Sequence, residues 1–99
     1  MNDIIQQWLD SDDDLTINEY GAIEYNGSRQ GRIRGDNVVI GPDDGGVRGE
    51  PVDVDGEWLI VEGSQEAYMG PERGRQRWTG KFAVRPNSRK AEIDGPISE

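Results

Sequence analysis

The sequence predicts a mainly β fold, a short N-terminal helix followed by five or six antiparallel strands in a small barrel or rolled sheet. Two observations carry this reading. From Leu15 onward apolar and polar residues alternate with the period of two that marks a half-buried strand. The alternating runs are separated by turn residues, with 14 glycines in the chain and an Asn26-Gly27 pair that suits a tight hairpin.

The helix is predicted over Asn2 to Asp10. Ile4, Ile5, Trp8 and Leu9 fall on one stripe, Asn2 is placed to cap the first turn, and Asp3 suits the positive end of the helix dipole. Adjacent carboxylates from Asp10 to Asp14 oppose its continuation. So short a helix is marginal alone in water and has to pack, with Trp8 as the docking residue. Leu15 and Ile17 then alternate with Thr16 and Asn18. The Asn26-Gly27 turn pairs Tyr25 with Ser28 and Glu24 with Arg29, and an unbroken register would pair Tyr20 with Ile33 and Glu19 with Arg34. Gly35-Asp36 turns the chain into Val38–Ile40, and residues 42–46 form a loop.

Val52 to Glu62 reads as one strand, with Asp53, Asp55 and Glu57 on one face, Val54, Trp58 and Ile60 on the core face, and Gly56 as a bulge or close approach. Leu59 and Val61 make its second half apolar on both faces. Residues 63–72 read as a loop presenting Tyr68 and Met69. The last strand has Arg73, Arg75, Arg77, Lys81 and Arg85 on one parity and Trp78, Phe82 and Val84 on the other. Residues 1–86 thus form one β-rich domain, and 87–99 an extended or frayed polar tail. A helix capping a five-strand barrel is also the plan of the Sm-like RNA-binding fold, and residues 31–40 (GRIRGDNVVI) resemble that family's style; ten residues are too few to assign membership.

Composition narrows the function. Leu, Ile, Val and Phe together number only 20, so the three tryptophans and three tyrosines must supply much of the core, each ring burying roughly 150–250 Å². Neither cysteine nor histidine is present, which removes disulfides, thiolate chemistry and the commonest metal ligand and general base. The chain lacks a phosphate loop, a serine elbow and metal-ligand spacing, and so small an apolar content leaves little wall for a substrate cleft. A non-enzymatic protein without cofactors follows. Asp10, Asp12 and Asp14 match the opening of a calcium loop, but Leu15 stands where that loop needs glycine and Gly21 where it needs glutamate. No apolar run or signal-like N-terminus suggests a membrane, and the expected compartment is the cytoplasm.

The net charge of −9 is unevenly spread. Residues 1–70 carry 16 acids against 4 arginines, whereas residues 71–90 carry seven bases against Glu72 alone. The leading expectation is therefore a protein-binding module that engages a basic surface through Asp10, Asp12, Asp13, Asp14, Asp43, Asp44, Asp53, Asp55 and Glu57, with Tyr68 and Met69 as a loop anchor. Its most specific version is an acidic inhibitor that mimics nucleic acid and blocks a nucleic-acid-binding partner such as a defence complex. One alternative is a small nucleic-acid-binding barrel using Arg29, Arg32, Arg34, Arg73, Arg75, Arg77, Lys81 and Arg85. Another is an assembly subunit, since edge strands in so small a sheet allow a homodimer. A hairpin centred near Ala67 would set Asp53 opposite Lys81 and Glu57 opposite Arg77, turning the arginine face into an internal salt-bridge ladder.

Overall fold

A computed structural model of the chain describes residues 3–42 and 44–97. The described residues form one helix, α1 (Asp3–Asp10), and eight strands: β1 (Leu15–Ile17), β2 (Ala22–Tyr25), β3 (Ser28–Arg34), β4 (Asn37–Ile40), β5 (Val47–Asp55), β6 (Trp58–Tyr68), β7 (Arg75–Arg85) and β8 (Glu92–Asp94). The strands form one antiparallel sheet in sequence order, with β1 and β8 at opposite edges. The expected mainly β fold with its N-terminal helix is present, but the sheet is a meander that does not close into a barrel. Its inner face holds Ile23, Val38, Ile40, Val47, Leu59, Val61, Phe82 and Val84, all buried. Helix α1 packs on β5, β1 and β6 and closes this core with Ile5 and Trp8. The Trp8 side chain is 1% exposed, and its Nε1 donates to the Glu57 carbonyl at 2.9 Å, pinning the helix to the β5–β6 turn. Ser11 ends the helix by donating from both its backbone N and its Oγ to the Trp8 carbonyl. The proposed Asn2 cap lies outside the described residues.

The Asn26-Gly27 hairpin has the expected geometry, with positive φ at both residues and Tyr25 opposite Ser28 and Glu24 opposite Arg29. Beyond that the expected register fails. Gln30 is an extra residue on β3, a bulge after which Ile23 faces Gly31 and Ala22 faces Arg32. Tyr20 and Glu19 never reach Ile33 and Arg34, because the chain turns at residues 18–21 and Asn18 Oδ1 accepts from Tyr20 N and Ala22 N.

The stretch expected as one strand from Val52 to Glu62 is a hairpin. Asp55 faces Trp58 across a Gly56-Glu57 turn in which Gly56 takes φ +61, so Gly56 is a turn residue and not a bulge. This reverses the expected facing of its second half, while Val54 keeps the core face and Asp53 and Asp55 the other. Leu59 and Val61 point into the core, while Trp58 and Ile60 lie half-buried on the outer face with Asp53 and Asp55. Strand β6 then continues to Tyr68 through residues expected to be a loop, and the true turn lies at 69–74. Residues 87–97 also depart from an extended polar tail. Ala91 is buried, β8 pairs with Ala83–Arg85, and Ile97 N donates to the Lys81 carbonyl.

Gly49, Gly63 and Gly80 align across β5, β6 and β7 on the inner face. A Cβ on Gly63 would lie 2.0 Å from the Arg48 carbonyl oxygen, and one on Gly49 would lie 2.3 Å from that of Glu62. Only glycine fits at these two positions, where the β5 and β6 backbones come close together.

Candidate functional site

The structure divides the expected acidic face between two ends of the molecule. At one end, α1 delivers Asp10, the following loop carries Asp12, Asp13 and Asp14, and the β5–β6 turn brings Asp55 and Glu57. Of these, Asp12, Asp14 and Glu57 act on Tyr25, whose hydroxyl donates to Asp12 Oδ2 at 2.9 Å. That hydrogen bond, then burial, then the negative charges of Asp12, Asp14 and Glu57 hold the Tyr25 pKa above its ordinary value. Two acidic clusters far apart in sequence therefore share one electrostatic environment.

Their roles within it differ. Asp12 is committed locally, since its Oδ1 also accepts from Asp14 N. Asp10 accepts from Gln6 Nε2, and Asp53 accepts from Val54 N. Among the described residues, Asp13, Asp14, Asp55 and Glu57 make no side-chain hydrogen bond or ion pair and are exposed. No three acidic side chains among the described residues come together in a metal-holding arrangement.

Asp44 belongs to the other end. It accepts from Tyr68 N at 2.8 Å and lies 3.8 Å from Arg75, while Gly45 N donates to the Glu66 carbonyl. The β4–β5 loop thus continues the β5–β6 pairing beyond the start of β5, and Asp44 is part of that seam. Asp43 lies outside the described residues. Tyr68 and Met69 sit exposed, at 52% and 43%, where the β6–β7 ribbon ends.

The expected ladder exists with different members. Because the β6–β7 turn falls four to five residues later than Ala67, Arg77 faces Glu66 and Lys81 faces Glu62, while Asp53 faces Ile60. Glu66 lies 3.9 Å from Arg75 and 4.0 Å from Arg77, all three well exposed, so each contact contributes little. Arg85 is held more firmly, paired with Glu92 on β8 and stacked 4.8 Å from the Trp58 ring centroid. Arg73 lies in the turn and is exposed.

The remaining arginines form a separate group on the outer face. Arg32, Val39 and Arg48 lie in one cross-strand row over β3, β4 and β5, with Arg29 beside them and Arg34 one position along the same face. Sequence reading missed Arg48, which shares no local motif with the others and reaches them only through the pairing of β4 with β5. Among the described residues, none of these arginines forms an ion pair. No helix among the described residues is long and apolar enough to cross a membrane. No family model, curated protein or solved structure matches the chain, and its function has to be read from its own residues.

Proposed function

We infer that this chain is a non-enzymatic binding module whose acidic end docks on a basic protein surface. The observation that supports it most is the asymmetry of neutralisation. Arg75, Arg77 and Arg85 of the cationic strand have acidic neighbours within the sheet, whereas Asp13, Asp14, Asp55 and Glu57, on the loop after α1 and the β5–β6 turn, are exposed and without a counter-ion. Such an array steers a cationic partner and is screened by salt. Its carboxylates come from the loop after α1 and from a two-residue turn tied to that helix by the Trp8–Glu57 hydrogen bond, which limits the ordering entropy lost on docking. The most specific form of this reading is a nucleic-acid mimic in the cytoplasm that occupies the phosphate-binding groove of a nucleic-acid-binding protein, such as a defence complex.

The test is capture from a cognate lysate at moderate salt, repeated with Asp13→Lys, Asp14→Lys and Glu57→Lys combined. The reading expects a basic, nucleic-acid-binding protein that the reversed variant no longer retains and that duplex DNA displaces. Reversal of Asp44, which is tied to Arg75 and Tyr68, should leave capture intact. A partner held equally by the reversed variant would exclude docking through this end.

A further inference from the structure

We propose that the outer face of β3–β5 is a phosphate-binding site built from Arg29, Arg32 and Arg48, separate from the acidic end. The three side chains line an open depression of about 550 Å³ together with Val39, Gly31, Gly41 and Pro42. Arg32 and Arg48 flank Val39 on neighbouring strands, which puts their Cα atoms roughly 9–10 Å apart at two interstrand spacings. At that separation two guanidinium groups can converge on one multi-oxygen anion, and the planar fork of arginine suits phosphate oxygens.

The bulge at Gln30 is what assembles the site. In an unbroken strand, residues 29 and 32 point to opposite faces. Here Arg29 pairs with Glu24 and Arg32 with Ala22, two β2 residues of the same parity, so both arginines stand on the outer face. The bulge is firmly held. Gln30 is 3% exposed, its Nε2 donates to the Ser28 and Asn87 carbonyls, and its Oε1 accepts from Asn87 N. A buried glutamine thus fixes a backbone irregularity whose outward effect is to add a third cation to the row.

Electrostatics favour an anion there. The chain carries 20 acids, yet none among the described residues pairs with these three arginines. Glu24 and Glu50 share the face, opposite Arg29 and two residues beyond Arg48, and neither forms an ion pair with them. The arginines of β7, by contrast, are each near a carboxylate. The phosphates that fit could belong to a small polyphosphate or to a nucleic-acid strand.

Calorimetric titration of the full chain at low ionic strength, with inorganic tripolyphosphate and separately with a short single-stranded oligonucleotide, tests the site. We expect binding of at least one probe, a tenfold or greater loss in Arg32→Ala/Arg48→Ala, and a severalfold loss in Arg29→Ala. Arg73→Ala/Arg77→Ala, on the ribbon, should bind as the parent does. Circular dichroism on each variant checks that the sheet is retained. Tighter tripolyphosphate binding identifies a small ligand. Tighter oligonucleotide binding, with a salt slope reduced by about 0.7 for each arginine removed, identifies a strand. Binding of neither probe, or equal loss in the Arg73/Arg77 control, overturns the proposal.

Discussion

Two polar side chains, Tyr25 and Gln30, do much to hold the described arrangement, and each makes a separable prediction. Tyr25 is kept neutral by Asp12 and the charges of Asp14 and Glu57, so its folded pKa exceeds its unfolded one. The stability this contributes is complete below the ordinary tyrosine value of about 10 and fades as pH rises through the raised one. Alkaline titration of tyrosinate absorbance should show one late-titrating group that is absent in Tyr25→Phe and moves earlier in Asp12→Asn. Gln30→Ala leaves the half-buried Asn87 backbone groups without their partner and should cost about 1–3 kcal/mol in chemical denaturation. Neither role could be read locally. Both rest on contacts across the fold, Gln30 to Asn87 lying 57 positions along the chain.

Among elements, those specified by short-range chemistry were legible. The α1 stripe, the Asn26-Gly27 turn and the alternation of Phe82 and Val84 with Lys81 and Arg85 all carry their signal within a few residues. The β5–β6 hairpin was hidden because Gly56 lies between two runs that each satisfy strand alternation, so one long strand fits the pattern as well as two. That single reading displaced the later register, exchanged Glu66 for Asp53 as the acid near the arginines, and left Trp58 on the wrong face. Strand β8 is nearly patternless and is specified by its docking on β7. Glycine substitutions separate the two kinds of constraint. Gly56→Ala asks an L-residue to take φ +61 in an open turn and should cost about 1–2 kcal/mol. Gly63→Ala drives a Cβ into the Arg48 carbonyl and should break the β5–β6 pairing, with a larger drop in denaturation midpoint.

At the scale of the whole molecule, the sequence foretold a segregated charge distribution but not its geography. The acids of α1 and the β5–β6 turn crowd one end, and the net charge is −9. Self-repulsion of this kind is screened by salt, so the melting temperature should rise between low and moderate sodium chloride, and less so in Asp14→Asn/Glu57→Asn. The row of Gly49, Gly63 and Gly80 also has a consequence for motion. It interrupts the inner-face side chains: Leu59, Val61 and Phe82 lie on one side, Trp78 on the other still packs against the core, and past it the ribbon's inner face offers only Ala67 and Gln76. Opening the ribbon therefore exposes far less apolar surface than unfolding the body. Native-state hydrogen exchange should resolve two cooperative units, with amides of 66–77 exchanging well before those of 59–61 and 82–84. Exposed Tyr68 and Met69 ride on the first of these, so the tip and its Asp44 seam should loosen before the acidic end does.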